Sequence, residues 1–519
     1  METEGVDGIL MFLYANRTLA LMGLVKTLSY PVFLVVIHLL NIPISWALYL
    51  LWLTAAVLTA LFFKRITRSK YFSSFVFVIV LYLPVAFDSW VGQRLYRNIV
   101  FAPATCILIA LLALLILSIL KNRPHKLLLT GFSVWFVFCY YLNENGIWLI
   151  PMLLVVLVAG VYAGLRRKGT VKVRLLRGGV IVLIPLIVFS LVTVAYRSVA
   201  YSITGVPEIE TRTQGEQGRF ISNLYHIDDK NRTVTNWIPR TVIEQAWEAS
   251  DTLKEEYPEL GRDLIDAMQK TETGMIDGDM LGWELKMLVP KYFQSTREIE
   301  QVMKQVNQEL DEAFEAGTIQ RTSGLSLTQS APDKSLAEAI ELAKHLPVWL
   351  SVHMFYSDQD VTLPVISYSE NRALVEEFAS ITLYPSEKSS FDNRLATITI
   401  DIERFISSGY QFVLAPLLVL CMVASVAILI IRRKRAKGLS LLLAALFCMG
   451  YAAVYLFGIA FFAEWIWVSL GIPELMHMKF YAVSAAPLLL FAELFAAAFL
   501  VMNIRQKAAL ASGSALSSP

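Results

Sequence analysis

Long apolar runs constrain this chain more than any other feature, because a membrane-crossing helix needs about 20 mainly apolar residues to span the hydrocarbon core. Eight such runs lie near 72–88, 100–120, 127–142, 147–165, 179–198, 408–431, 438–461 and 479–503. A ninth, 29–63, is too long for one upright helix. Asn41-Ile42-Pro43 breaks it, either as a tight hairpin or as one crossing preceded by a half-inserted piece. We therefore predict an all-α polytopic membrane protein with about nine or ten transmembrane helices.

The charges are divided unevenly along the chain. Residues 201–405 contain 35 acidic and 19 basic residues, a net charge of −16, whereas the whole chain of 519 residues carries +2. Only 17% of all residues are charged, against about 25% in soluble domains. These values exclude a soluble enzyme and indicate one acidic, water-soluble insert. We expect no nucleic-acid partner, because the basic residues form short clusters between apolar runs and no solvated stripe.

Five clusters of Lys and Arg set the expected orientation, since short cytoplasmic loops carry an excess of these residues. The clusters begin at Lys64, Lys121, Arg166, Arg432 and Arg505. They fall at alternate loops of the predicted spans, so all five can be cytoplasmic at once. We therefore expect the insert to lie outside the cytoplasm and the C-terminus to lie inside it.

The same patterns divide the chain into five segments. They are a first outer-loop remnant or amphipathic segment (1–28), an N-terminal transmembrane module (29–198), an extracytoplasmic, mainly helical domain (199–407), a C-terminal transmembrane module (408–503) and a disordered cytoplasmic tail (504–519). Apolar spacing in the insert predicts helices over 241–316, broken at Pro290, and over 335–346 and 364–380. Segments 210–236 and 317–333 are rich in turn-forming residues and are predicted to be loops.

Cysteine and histidine positions bear on compartment and on metal binding. All four cysteines fall within predicted spans and the insert has none, so a disulfide framework is excluded there. This favours the plasma (inner) membrane of a bacterium. His345 and His353 are eight residues apart and could share a helix face, as a structural pair or as a zinc site. The sequence gives no other support for a divalent metal or a cofactor.

A polar stretch between two apolar spans is the first candidate site. It contains Asp88, Arg94, Tyr96 and Arg97. Because Arg94 and Arg97 are three residues apart, a helical loop would put both guanidinium groups on one face, where they suit a phosphate or pyrophosphate. The alternative is an anchor for lipid headgroups, with Trp90 and Tyr96 as interfacial aromatic residues.

Two further outer loops carry candidate residues. A tight turn between two spans contains Glu144, followed closely by Trp148. A carboxylate at the bilayer boundary can be desolvated and act as a base, although a solvated turn acid is the simpler interpretation. The other loop contains Trp465 and Trp467 and leads to Lys479. Its two tryptophans suit a membrane belt or a sugar platform.

Several short stretches, in their order along the chain, carry a resemblance to a known family. They are Lys26 with Tyr30-Pro31-Val32-Phe33-Leu34, then Arg94-Leu95-Tyr96-Arg97, then Glu144-Asn145-Gly146-Ile147-Trp148-Leu149-Ile150-Pro151, then Gly282-Trp283-Glu284-Leu285-Lys286. Together they resemble bacterial polytopic membrane proteins related to the GT-C glycosyltransferases. That family has a membrane helix before an acid pair in its first outer loop. This chain has a single Asp7 near its start, so we expect the first span of the family to be missing here.

The resemblance implies a GT-C-like fold and a reaction at the outer face. Such enzymes move a sugar from a polyprenyl-phosphate donor to an acceptor hydroxyl, with an acid in the first outer loop as general base. By this resemblance Asp7 is the expected base, and Lys26, Arg94 and Arg97 lie near the departing lipid phosphate. Glu144 would position the acceptor or the donor sugar as a second catalytic residue. The remaining substrate-binding candidates are Asp88, Tyr96, Trp148 and Lys479.

The sequence thus predicts a membrane glycosyltransferase without a cofactor. Its expected partners are membrane lipids, a polyprenyl-phosphate sugar donor and an envelope glycan or glycolipid acceptor. The first alternative is an inactive relative whose acidic helical cap binds an envelope partner without catalysis. The second is a lipid or solute transporter, which requires charges inside the spans; the chain has little there beyond His38 and Glu493.

Overall fold

The chain is almost entirely α-helical, which confirms the predicted fold class at the level of all-α and multi-pass. The computed structural model describes residues 27, 29–92, 96–121, 126–142, 146–166, 171–269, 276–329, 331–357, 359–361, 376–377, 380, 390–431, 438–469, 471 and 473–511. Within these residues, sheet is confined to one pair of short antiparallel strands.

Seven described helices precede the insert. They are α1 (Ser29–Leu39), α2 (Ile44–Thr67), α3 (Lys70–Leu81), α4 (Asn98–Leu120), α5 (Lys126–Tyr140), α6 (Ile150–Arg166) and α7 (Val171–Thr204). Short 3-10 turns at Pro84–Ala86 and Gly146–Leu149 follow α3 and precede α6.

The apolar run 29–63 is broken between α1 and α2. Asn41 adopts a φ of 51°, a conformation that ends a right-handed helix, and Pro43 precedes α2. With 11 residues, α1 rises about 16 Å, well short of a hydrocarbon core about 30 Å thick. By length, α1 is therefore too short for a full crossing, whereas α2 is long enough for one.

The described part of the insert contains seven helices and both strands. They are α8 (Gly215–His226), β1 (Asn236–Ile238), α9 (Arg240–Ala249), α10 (Pro258–Gln269), β2 (Ile276–Asp277), α11 (Leu281–Leu288), α12 (Thr296–Ala316), α13 (Leu336–Ala343) and α14 (Leu346–Phe355). Pro290 lies in a 3-10 turn between α11 and α12, at the predicted break. The predicted helix over 335–346 ends early, because Pro347 in the first turn of α14 begins a new helix. Almost all of 364–380 lies outside the described residues.

The prediction of a loop over 210–236 is wrong, because this segment contains α8. The helix buries Phe220, Ile221 and Leu224 against the insert core. Its N-terminal backbone N–H groups, those of Glu216 and Gln217, donate to the carboxylate of Glu300 on α12 at 2.5 and 3.1 Å. This cap comes from a residue more than 80 positions away, so no local signal marks the start of the helix.

Five described helices follow α14. They are α15 (Ser390–Gly409), α16 (Ala415–Ile431), α17 (Leu439–Ser469), α18 (Glu474–Tyr481) and α19 (Ala485–Ala511), with a π turn at Tyr410–Leu414 joining α15 to α16. The predicted span 479–503 is therefore two helices. Pro487 explains the break, because its missing N–H removes a bond that a continuous helix would need.

Seven of these helical stretches are long and apolar enough to cross a membrane. They are α2, α4, α6 with its preceding turn, α7, α15 joined to α16, α17 and α19; the shorter apolar helices α1, α3 and α5 lie among them. The two most buried are α4 and α19, which form the centre of the bundle. Every predicted apolar run contains one of these helices.

The helix α17 also connects the bundle to the insert. Its 31 residues extend for about 46 Å, longer than a hydrocarbon core. Its last turns place Trp465 and Ile466 in the insert core, where the Trp465 ring lies 6.0 Å from that of Trp237. The sequence suggested that Trp465 belongs to a membrane belt or a sugar platform. Both interpretations are wrong, because Trp465 is part of a protein core. We call the end of the bundle at Trp465 and Ile466, where α17 contacts the insert, the insert end.

We expect Gly278→Ala to weaken this junction. Gly278 has a φ of +47°, and a Cβ there would lie 2.0 Å from the ring of Trp465. Gly317→Ala is the matched control, because Gly317 has a φ of +73° and a Cβ there would have nothing within 4 Å. Gly317→Ala should cost about 1–2 kcal/mol from backbone strain alone, and Gly278→Ala about 2 kcal/mol more. Thermal unfolding of the purified variants measures both; equal losses would contradict the junction.

Candidate functional site

Three consecutive residues of α18 join the parts of the bundle that the sequence singled out. Lys479 contacts the loop after α3, Phe480 contacts the start of α4, and Tyr481 contacts α17. The helix follows Pro473 and ends at the break before α19. A short helix between two longer ones can thus present neighbouring side chains to three separate segments.

Lys479 and Asp88 form a buried ion pair. The Lys479 Nζ donates to Asp88 Oδ2 at 3.2 Å, and the two side chains are 6% and 0% exposed. Oδ1 of Asp88 accepts from the backbone N–H groups of Trp90 and Val91 at 3.0 and 3.2 Å. Oδ2 also accepts from the N–H of Asp360 at 3.2 Å. Both oxygens therefore accept hydrogen bonds from the protein, and these bonds fix the carboxylate in one orientation.

The segment after α14 encloses the ion pair from the insert side. Besides donating to Asp88, Asp360 accepts from the N–H of Ser89 through its carbonyl, at 2.7 Å, and from the Ser89 hydroxyl through its carboxylate, at 3.0 Å. Arg404 on α15 donates to the carbonyl of Val361 at 2.8 Å. The insert is thus bonded to the polar loop that was the first candidate site in the sequence.

Tyr96 and Arg97 immediately precede α4. The Arg97 guanidinium lies 5.1 Å from the centre of the Tyr96 ring, and that ring lies 5.3 Å from Phe480. Next to them, the Asn98 side-chain amide donates to the carbonyl of Phe480 at 2.7 Å. Arg97 is half-buried and immediately precedes α4, whose N-terminal dipole adds a partial positive charge at this position.

Trp148 lies on the other side of the same cluster. Its ring is 4.4 Å from that of Tyr455 on α17, and Tyr455 donates through its hydroxyl to the carbonyl of Tyr481 at 3.2 Å. Tyr451, one turn earlier on α17, donates to the carbonyl of Trp148. The Phe101 ring on α4 lies 6.0 Å from that of Trp148, which places the first turns of α4 beside this aromatic pair.

The start of α1 contacts the end of α5 and the helix α7. Ser29 donates through its backbone N–H to the carbonyl of Tyr141 at 3.3 Å, and its hydroxyl lies 3.2 Å from that of Tyr196. Tyr30 is buried, and its ring lies 6.5 Å from that of Phe33. The described residues that follow Lys26 along the chain therefore contact those that precede Glu144.

The helix α14 lies beside α18. Glu474 of α18 accepts from the indole N–H of Trp349 at 2.5 Å and lies 3.0 Å from Nδ1 of His345. His353 is buried one turn after Trp349, with Nδ1 at 2.8 Å from the Trp349 carbonyl. Burial lowers the pKa of His353 to about 4, and the charge of Lys479 acts in the same direction. The two histidines thus have different partners and different surroundings.

The structure brings together five of the nine residues that the sequence nominated. They are Asp88, Tyr96, Arg97, Trp148 and Lys479, linked through Phe480, Tyr481 and Tyr455. The other four, Asp7, Lys26, Arg94 and Glu144, lie outside the described residues.

The sequence patterns did not reveal Phe480, Tyr455 and His353 as members of this cluster. Phe480 and Tyr455 are apolar-looking positions within or beside spans, where an aromatic residue is unremarkable. His353 stood out only for its spacing from His345. Among the described residues, no group of three or more His, Cys, Asp or Glu side chains could hold a metal ion.

Comparison with protein-family models, with curated protein sequences and with solved structures finds no match to this chain.

The ion pair predicts an order of effects on stability. Asp88→Asn should lower the free energy of unfolding by about 3 kcal/mol or more, because it places an amide among donors and removes the charge facing Lys479. Lys479→Met should cost less, because the three backbone N–H groups still bond the Asp88 carboxylate. Asp401→Asn, in an exposed pair with Arg404, is the control and should change stability by less than about 0.5 kcal/mol. Unfolding in detergent measures all three; a smaller loss for Asp88→Asn than for Lys479→Met would contradict this order.

Proposed function

We propose that this protein binds a polyprenyl-phosphate-linked sugar at the insert end of its bundle and transfers the sugar to an envelope glycan or glycolipid. One observation carries the proposal. Five residues chosen from separate stretches of sequence, for phosphate and sugar chemistry, lie in one connected cluster around residues 479–481. Their positions in the sequence are up to 391 residues apart, so local structure alone does not bring them together.

Arg97 supplies the phosphate-binding chemistry in this proposal. Its planar guanidinium can donate two parallel hydrogen bonds to a phosphate. The Tyr96 ring supports it, and the N-terminus of α4 adds a favourable dipole. Because the group lies where a membrane span ends, a lipid phosphate could reach it while the lipid tail stays among the apolar helices.

Trp148 supplies an aromatic surface for the sugar, and the buried Tyr455 ring supports it. The two rings lie 4.4 Å apart and at 31° to each other. Trp148 is half-buried, so part of its ring is exposed. Aromatic faces bind the apolar C–H face of a sugar ring, and they place its hydroxyl groups at the edge, where polar side chains can reach them.

The proposed reaction needs a base and a leaving group. An acceptor hydroxyl loses its proton as its oxygen bonds the anomeric carbon, and the bond from that carbon to the phosphate oxygen breaks with its electron pair leaving on the lipid phosphate. Arg97 would stabilise the charge that develops on the phosphate. Asp88 is ill suited as the base because four protein groups donate to its carboxylate. Glu144 and Asp7 are therefore the proposed bases, and Lys26 and Arg94 further phosphate ligands.

Orientation in the plasma membrane of a bacterium, with the insert extracytoplasmic, is part of the proposal and rests on the basic loops. Lys434→Cys should react with a membrane-impermeant maleimide only in inside-out vesicles. Glu312→Cys, at an exposed position of α12, should react only in right-side-out vesicles or intact cells. The reverse pattern would invert the topology and place the cluster on the cytoplasmic face.

A non-catalytic envelope-binding role is the second candidate. It is favoured because the two carboxylates described at the cluster, Asp88 and Glu474, already accept hydrogen bonds from protein groups. A carboxylate bonded in this way is ill suited as a catalytic base. In this role the cluster binds a lipid-linked sugar or a related envelope component without transferring it. The two functions differ in turnover and share the binding step.

Arg97→Ala should weaken binding of farnesyl phosphate, a short polyprenyl phosphate, by about 10-fold or more, because a charge-assisted bidentate contact is lost. Arg97→Lys should retain part of the affinity. Arg240→Ala is the matched control, since Arg240 is exposed on the insert and paired with Glu244. Quenching of tryptophan fluorescence on titration with the lipid measures the affinity; equal affinities for wild type and Arg97→Ala would refute the proposed phosphate site.

Glu144→Gln distinguishes catalysis from binding. If the protein is a transferase with Glu144 as base, this variant binds farnesyl phosphate like wild type but no longer transfers a radiolabelled sugar from a membrane lipid fraction to envelope glycan. Asp7→Asn is tested in parallel as the other base. Normal binding with no transfer by the wild-type protein would establish the non-catalytic role.

A further inference from the structure

His353 carries a buried ring nitrogen to which no described residue of the protein is bonded. The residue is 4% exposed, and its Nε2 has no hydrogen-bond partner among the described residues. Buried polar atoms in folded proteins are nearly always bonded, so an unpartnered ring nitrogen beside a candidate site calls for a ligand.

The hydrogen bond of the other ring nitrogen, Nδ1, determines the tautomer of His353. Nδ1 lies 2.8 Å from the carbonyl oxygen of Trp349, one turn earlier on α14. A carbonyl can only accept, so Nδ1 carries the hydrogen. In a neutral imidazole the second nitrogen is then a bare acceptor. Nε2 of His353 therefore presents a lone pair and can receive a hydrogen bond from an incoming group.

The surroundings keep this ring neutral and select what can bind it. Burial and the charge of Lys479 both disfavour the imidazolium, which is why the pKa falls to about 4. A lone pair repels phosphate oxygens, so the phosphate of the proposed lipid is an unsuitable partner for Nε2. A neutral donor is the suitable partner, and hydroxyl groups are the neutral donors of a sugar.

We propose that Nε2 of His353 accepts a hydrogen bond from a hydroxyl group of the lipid-linked sugar. The inference rests on the proposed function. It adds a residue that hydrogen-bonds the sugar, whereas Arg97 binds the phosphate. Arg97 and Lys479 are donors, and Trp148 is an aromatic ring. His353 supplies the acceptor through which a sugar hydroxyl is recognised and a sugar lacking it is disfavoured.

Two substitutions separate this role from a structural one. His353→Asn can keep an N–H close to the position of Nδ1, and with it the bond to Trp349, but has no atom at the position of Nε2. His353→Gln extends its amide toward the Nε2 position. His345→Asn is the matched control, because His345 is the N-cap residue of the same helix, α14, and is half exposed.

The experiment compares three probes on the full-length protein in nanodiscs: farnesyl phosphate, farnesyl-phosphoryl glucose and farnesyl-phosphoryl arabinofuranose. Wild type should bind at least one sugar-bearing probe more tightly than farnesyl phosphate. His353→Asn should reduce that gain by about 3- to 10-fold and leave the affinity for farnesyl phosphate unchanged. His353→Gln should restore part of the gain, and His345→Asn should change neither affinity.

The following outcomes would overturn the assignment of His353 or the proposed function. If His353→Asn keeps the full gain, or if wild type binds neither sugar-bearing probe more tightly than farnesyl phosphate, the assignment of His353 is overturned while the phosphate site stands. If Arg97→Ala leaves the affinity for farnesyl phosphate unchanged, the proposed function itself fails. An equal loss for all three probes in His353→Asn, together with reduced thermal stability, would show a structural role only.

Discussion

The buried ion pair between Lys479 and Asp88 is the contact on which the arrangement of the site depends. Two charges removed from water hold together only if further hydrogen bonds satisfy them, and Asp88 has three backbone donors besides the lysine. The pair ties the loop after α3, the segment after α14 and the short helix α18 to one point. The aromatic and basic residues of neighbouring positions are thereby set at fixed distances from one another.

Length and hydropathy predicted the membrane helices well, because the thickness of the hydrocarbon core acts on every spanning helix in the same way. The positions at which helices are interrupted were harder to predict. The half-length of α1 follows from Asn41 and Pro43, and the break before α19 from Pro487, yet only the first was predicted as a break. The start of α8 depends on Glu300, a cap supplied by a distant helix, which no local pattern reveals. The prediction for Trp465 was wrong because a tryptophan near a span end suits a membrane interface as well as a protein core.

The site was predictable in part for a related reason. Arg97, Tyr96 and Trp148 were noticed because charged and aromatic residues are informative at the ends of apolar runs. Their joint position was not predictable, since it depends on contacts such as Asn98 to Phe480, 382 residues apart. His353 shows the same limit: its spacing suggested a pair with His345, whereas the fold separates their roles, turning one toward Glu474 and leaving a bare nitrogen on the other.

Binding of a membrane lipid's phosphate by the cluster around residues 479–481 is the step from which the proposed chemistry follows. The most direct measurement is a cryo-electron microscopy structure of the protein in nanodiscs with farnesyl phosphate. We expect density for the phosphate within hydrogen-bond distance of the Arg97 guanidinium, beside the Trp148 and Tyr455 rings, with Asp88 and Lys479 still paired. Phosphate density at another site, with the cluster empty, would contradict the proposed binding site.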